Sequence, residues 1–264
     1  MIDEAVALIR RSDAIGVVTG AGVSVASGLP MFRGSGPDAI WSQDDLEIAT
    51  FAYYRRDPSG WWRWFFDRFS GLDRAEPNAA HFALAALEAH HTSTGGQFLL
   101  VTQNIDTLHE RAGTKHLVKI HGTSTAVRCS RTGCLRGAPN GSIPISEVDL
   151  SLLRSDPEST SIPVCPECGA IVRPHALLFD EYYVEHHDYG FARAKHALEN
   201  VDLMMFIGTS FSVGITALAL DAARVRRTPV ISIDPAGSPP AGVLSIEMNA
   251  EEALPKIVDS MNSR

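Results

Sequence analysis

The stretch AIGVVTGAGVSVASGLPMFR, residues 14–33, decides the fold. Its opening part, Ala14 to Thr19, is a short apolar run that reads as a buried strand. Gly20-Ala21-Gly22 breaks the run. Glycines directly after a strand permit a tight turn and let a ligand approach a backbone without Cβ atoms. A helix opening there offers free amides and its dipole to a phosphate. The arrangement points to a nucleotide site, yet the dinucleotide fingerprint G-x-G-x-x-G fails at Val25. The acidic ribose partner expected about 20 residues on, at the end of a second strand, is also missing. That region holds Gly34, Gly36 and Pro37, then Asp44-Asp45 in a polar stretch. The loop is therefore a phosphate loop of another kind, followed by a second unusual segment, Ser27 to Arg33. Taken alone, Gly20 and Gly22 suit a plain strand-to-helix turn equally well.

Outward from this stretch, strands and helices alternate. Asp3 to Ser12 reads as a short helix with Arg10 and Arg11 at its C-terminal dipole. Pro58 fits the first turn of a helix rich in Trp61, Trp62, Trp64, Phe65, Phe66 and Phe69. Aromatics at helical spacing are expected to be core, with a share lining an apolar channel. Pro77 to His90 reads as a helix, Gln97 to Thr102 as a strand, Leu117 to Ile120 as another. Later come a strand at Asp202 to Ile207, a helix at Gly214 to Val225, a strand at Pro229 to Ile233 and a helix at Ala250 to Met261. This alternation predicts an α/β fold with a doubly wound parallel sheet. Four strands end in polar loops, GAG, TQNID, HG and GTS, and such loops line the ligand crevice of an open α/β sheet.

Bulk properties narrow the classes. The chain has 264 residues, 45% hydrophobic and 20% charged, which suits a soluble globular protein with a sufficient core. A net charge of −8 argues against nucleic-acid binding and is compatible with cationic, lysine-bearing partners. Asp3 and Glu4 stand where a basic leader would be, and the uncharged runs 14–32 and 203–220 are interrupted by polar turns. The expectation is a cytoplasmic protein without membrane attachment.

Residues 128–173 differ in character, holding all four cysteines and five of the 15 prolines. Four residues separate Cys129 from Cys134 and two separate Cys165 from Cys168, with 30 residues between the pairs. Two such pairs suit a closed, structural, tetrahedral Zn2+ site whose binding free energy folds a small module. Disulfides are unexpected in a cytosolic chain.

Gly20-Ala21-Gly22-Val23-Ser24, Ser27-Gly28-Leu29-Pro30 and Phe32-Arg33-Gly34 together resemble the G-A-G-x-S-x-x-S-G-I-P-x-F-R-G signature of the sirtuins, NAD-dependent protein deacylases. Thr102 to Asp106 with Leu108-His109 and Ala112-Gly113, His121-Gly122 before the paired cysteines, and Gly208-Thr209-Ser210 with Val213 resemble that family's further signatures in order. The resemblance implies a Rossmann-like domain of residues 1–33, 72–127 and 174–264. Its small domain would combine a helical insertion, 34–71, with the zinc-binding module, 128–173. NAD and an acyl-lysine protein or peptide would meet between them.

By that resemblance, Gly20, Ala21, Gly22 and Ser24 lie at the NAD phosphates, and Phe32 and Arg33 on a loop over the nicotinamide side. Gln103, Asn104, Ile105 and Asp106 hold nicotinamide and its ribose, while Gly208, Thr209, Ser210 and Asp234 line the adenosine side. His121, with the near-neutral pKa of an ordinary imidazole, is the expected general base, acting with Asn104 and Asp106. His109, His116, His175, His186 and His187 are read as structural. The strip Leu178-Phe179-Asp180-Glu181 would pair with the substrate backbone as an added strand, although Asp180 replaces the family's Gly. Members that remove acidic acyl groups carry a Tyr and an Arg three residues apart. Phe65 and Arg68 are the nearest match, and the lost hydroxyl favours simple acyl groups. Three readings follow: a deacylase that forms O-acyl-ADP-ribose and nicotinamide, an ADP-ribosyltransferase or NAD hydrolase on the same scaffold, or a non-catalytic NAD- or zinc-binding module.

Overall fold

The computed structural model describes residues 1–30, 43–69, 71–156, 159–211, 213–236 and 239–263. Six strands form one parallel sheet: β1 (Ala14–Thr19), β2 (Gln97–Thr102), β3 (Leu117–Lys119), then, after a second sheet, β7 (Leu203–Ile207), β8 (Val230–Ile233) and β9 (Leu244–Ile246). Their order is β3-β2-β1-β7-β8-β9. Counted within this sheet it is the 3-2-1-4-5-6 order of the Rossmann fold, with the reversal between β1 and β7. β1, β2, β7 and β8 are apolar and almost wholly buried, as strands covered by helices on both faces must be. One face packs on the helices Ile2–Arg10, Ala79–Ser93 and Ala250–Asn262, the other on Phe191–Leu198 and Gly214–Arg226. The expected doubly wound α/β fold is what the chain adopts.

The second sheet is antiparallel, in order β5-β4-β6: β4 (Gly122–Cys129), β5 (Ile143–Pro144) and β6 (Val172–Ala176). No strand is expected here from the sequence pattern. β5 pairs through only two residues, and β4 slips register between Gly122 and Val127, so neither leaves a regular alternation. Gly122 has φ +83°, and a Cβ there would meet the His175 carbonyl at 2.1 Å, which ties the turn from β3 into β4 to glycine.

The aromatic helix Pro58–Arg68 starts as expected, with Pro58 in its first turn and the Asp57 side chain accepting from the Gly60 amide. Trp61, Trp62 and Phe65 are buried and share one apolar cluster with Val127, Ile143 and Val172 of the second sheet. The Trp62 indole and the Tyr54 hydroxyl both donate to the Val172 carbonyl, at 3.2 and 2.7 Å. The helical insertion and the cysteine-bearing segment thus have a common core. Among the described residues, no helix is long and apolar enough to cross a membrane.

Candidate active site

The reversal of strand order brings two loops together. Gly20 N–H donates to the Ile207 carbonyl at 3.1 Å, and Gly22 N–H to the Gly208 carbonyl at 3.0 Å. A Cβ on Gly22 would stand 2.6 Å from Gly208 Cα. Both glycines are therefore required by backbone-to-backbone contact, and their amides are spent on β7's loop instead of being free for a phosphate. A short 3-10 helix, Ala21–Ser27, opens after Gly20.

These loops floor a cavity of about 800 Å³. Gly20, Ala21, Gly22, Gly208, Thr209 and Ser210 line one end, with Asp234 at the tip of β8. Gln103, Asn104, Ile105 and His121 form the middle. Phe65, Leu178, Phe179 and Glu181 line the side facing the second sheet, together with Trp61, Trp64 and Phe69. A share of the aromatic helix thus does face the cavity. Ser24, Asp106 and Arg68 border a small adjoining recess with Leu29 and Pro30. Phe32 and Arg33 lie outside the described residues.

The polar centre is a chain of hydrogen bonds. Asn104 Nδ2 donates to the Gly20 carbonyl and to Ser24 Oγ, both at 3.1 Å. Ser24 Oγ donates to Asp106 Oδ2 at 3.0 Å, and Asp106 Oδ1 accepts from the Leu108 amide at 3.0 Å. Burial raises the Asp106 pKa, against the lowering effect of these bonds and of Lys119. Gln103 Nε2 donates to Thr209 Oγ1 at 3.1 Å, tying the β2 and β7 loops. Asn104 Oδ1 is buried without a partner among the described residues. An orphaned acceptor in a cavity wall is a place for a ligand donor.

His121 sits in the turn between β3 and β4. Its Nδ1 lies 2.8 Å from the Gln103 carbonyl, which can only accept, so Nδ1 carries the proton and Nε2 keeps its lone pair. Tyr183, absent from the sequence expectations, stacks parallel on the ring at 5.9 Å and 2°. Its hydroxyl also accepts from the Ile215 amide at 3.3 Å. One of two adjacent tyrosines, Tyr182 and Tyr183, in a polar loop gives no local signal of this contact. Burial pushes the His121 pKa down to about 4, against the raising effect of the Gln103 bond. This corrects the ordinary near-neutral value expected from sequence.

The substrate-side residues fall differently from the sequence expectation. Glu181 reaches the cavity wall, but its carboxylate accepts from Arg128 at 2.7 Å, from Arg173 at 2.7 and 2.8 Å, and from the Leu178 amide at 2.9 Å. Asp180 accepts from the Phe51 and Ala52 amides, so its charge caps the helix Phe51–Arg56. Arg68 donates to both oxygens of buried Asp45, at 2.8 and 3.0 Å, and Trp64 Nε1 to one of them at 2.9 Å. The sulfurs of Cys129 and Cys168 lie 3.5 Å apart, and those of Cys134 and Cys165 3.7 Å. Four thiols converging without a disulfide match the spacing a tetrahedral ion with bonds of about 2.3 Å imposes.

A model of the Sir2 family matches residues 20–214. The chain belongs to the Sir2 family. Among its Sir2 relatives, an NAD-dependent protein deacylase of Thermus thermophilus is 33% identical over 256 residues, covering 96% of this chain and 92% of that protein. The NAD-dependent protein deacylase Sir2 of Mycolicibacterium smegmatis is 34% identical over 93% of this chain and 95% of its own length. Of solved structures, a Sir2 homolog–NAD complex is similar with a TM-score of 0.79 and 31% identity, covering 98% of this chain and 93% of that one. A complex of Sir2 with a p53 peptide and NAD+ has a TM-score of 0.79 at 26% identity over all of both chains.

Proposed function

We infer that this Sir2 protein is an NAD-dependent protein lysine deacylase that transfers the acyl group to ADP-ribose and releases nicotinamide. The observation that carries the reading is His121: a neutral imidazole in the cavity, its Nδ1 proton committed to the Gln103 carbonyl, presents Nε2 as the one basic nitrogen. NAD, when bound, supplies a ribose carbon that becomes electrophilic as nicotinamide leaves, and a ribose hydroxyl that must lose a proton. His121 Nε2 takes that proton. Asn104, held by the Gly20 carbonyl and Ser24, offers its free Oδ1 to the nicotinamide end. Ala21, Thr209, Ser210 and Asp234 would hold the phosphate and adenosine ends, with Gly20 and Gly22 keeping the two loops in contact beneath them. Tyr183 keeps the imidazole plane fixed, which is the prepositioning such a reaction needs.

The substrate is an acyl-lysine in a protein or peptide, its backbone laid along the strip Leu177 to Phe179. Simple acyl groups are favoured, because Asp45 already occupies the Arg68 guanidinium and the wall around it is aromatic. The four cysteines would hold a structural Zn2+. Thiols kept for a metal suit a reducing compartment, so the protein is assigned to the cytoplasm.

Incubation with NAD and an acetyl-lysine peptide should yield nicotinamide and deacetylated peptide in equal amounts. Nicotinamide without deacetylation would mean the NAD hydrolase or transferase reading instead. His121→Ala should lower kcat by about 10²–10⁴-fold while NAD still binds; an active variant removes His121 from its role.

A further inference from the structure

The second sheet carries a polar cluster that the deacylase reading does not use. His175, at the end of β6, has a side chain only 2% exposed, and neither ring nitrogen has a hydrogen-bond partner among the described residues. Its Nε2 lies 3.3 Å from Asp188 Oδ2. His186 Nδ1 lies 3.8 Å from the same oxygen. The ligand-capable atoms of the three residues all fall within 4.8 Å of one another. An ion with bonds of about 2.0–2.1 Å to tetrahedral N and O ligands holds them about 3.3 Å apart, so the cluster needs little movement to close on one.

We propose that His175, His186 and Asp188 form a second metal site, for a divalent transition ion such as Zn2+. The donor set, two imidazoles and one carboxylate, is one that zinc and its neighbours take with water in the remaining position. Asp188 is 47% exposed, which gives the ion its entry path and the water its place. The surroundings are built as a ligand shell. His186 Nε2 is 3.1 Å from the Gly141 carbonyl, which fixes the proton on Nε2 and leaves Nδ1 as the donor atom. Ser142 Oγ donates to Asp188 Oδ2 at 3.3 Å and orients the carboxylate. Tyr189 stacks on the His175 ring at 5.5 Å. Binding replaces one weak contact, the 3.2 Å bond from the Asp188 amide to His186 Nδ1. The positive charges of Arg128 and Arg173, which share the single carboxylate of Glu181, act on His175. Their residual positive charge makes this the weaker of the two metal sites. His175 and His186 bracket residues 176–185, so an ion here would pin both ends of the cavity wall that includes Leu177, Phe179 and Tyr183.

The test is an equilibrium titration of the full chain, its cysteine site already loaded with zinc, with Co2+. The expected result is one further equivalent per chain, giving visible d–d absorption without the near-ultraviolet band of cobalt–thiolate bonds. Asp188→Asn, at a half-exposed position, should keep the fold by circular dichroism and lose that absorption, and His186→Gln should lose it too. Added Zn2+ should raise the Tm of the wild type and not of Asp188→Asn. No saturable cobalt spectrum, a thiolate band, or an unchanged spectrum in a folded Asp188→Asn variant would each overturn the proposal.

Discussion

The two sides of the cavity are held together by different physics. On one side, two large apolar clusters sandwich a parallel sheet whose inner strands are almost wholly buried. On the other, a three-stranded sheet, one strand of it two residues long, packs against an aromatic helix. That half also carries four converging thiols and a buried Arg128–Glu181–Arg173 triad. The first half is stabilised mainly by area removed from water, which no chelator or loss of a single charge switches off. The second depends on charges and donor atoms whose partners can be withdrawn. The turn bearing His121 joins the two, since it lies between β3 of one sheet and β4 of the other.

Removing the proposed zinc should separate the two halves most. A chelator, or Cys165→Ser, should unfold the cysteine-bearing half and abolish activity while the parallel sheet persists. Trp61, Trp62 and Trp64 all belong to the shared core of that half, so tryptophan emission should shift red with much of the helical circular dichroism retained. A single cooperative loss of both signals would show the halves to be one folding unit. Next in size is Glu181→Gln, which leaves two guanidiniums buried with no carboxylate and should cost about 3–5 kcal/mol in urea unfolding. A loss under about 1 kcal/mol would mean water reaches the triad.

On the sheet side, Gly22→Ala should cost about 1–3 kcal/mol by overpacking against Gly208 and weaken NAD binding by displacing the two loops. The smallest effect is with pH. His81 and His109 face each other with ring centroids 4.8 Å apart. Burial pushes His81 down to about 4 and His109 well below its usual range. Both are neutral when folded, whereas the unfolded chain takes up protons near 6.5. Their contribution is intact above that value and is lost as pH falls toward 4, at roughly 1–2 kcal/mol for His81 by about pH 5. The Tm of His81→Gln should vary less with pH over this window than that of the wild type.

The sheet side was legible because each element is local. Ala14 to Thr19 and Gln97 to Thr102 are strands in the structure with the bounds their apolar runs imply, and Gly113 marks a helix end as its chemistry demands. β9, three residues of which only Ile246 is buried, follows a Pro- and Gly-rich stretch and left no such run. The other half was opaque because its order is long-range. Nothing near Glu181 in sequence announces Arg128, and nothing near Arg68 announces Asp45. The same holds inside the cavity: the glycines of GAG were legible as a loop, but the partner that requires them, Gly208, stands far along the chain.

With Nδ1 tied to the Gln103 carbonyl, His121 has a single door. A proton received at Nε2 cannot be passed through the ring to the protein behind it without breaking that bond. It must leave by the nitrogen that took it, into the same cavity. The imidazole is therefore recharged only when solvent or a departing product reaches that space. In the proposed deacylase reaction, turnover would thereby be coupled to the emptying of the cleft, and a slow product would hold His121 protonated.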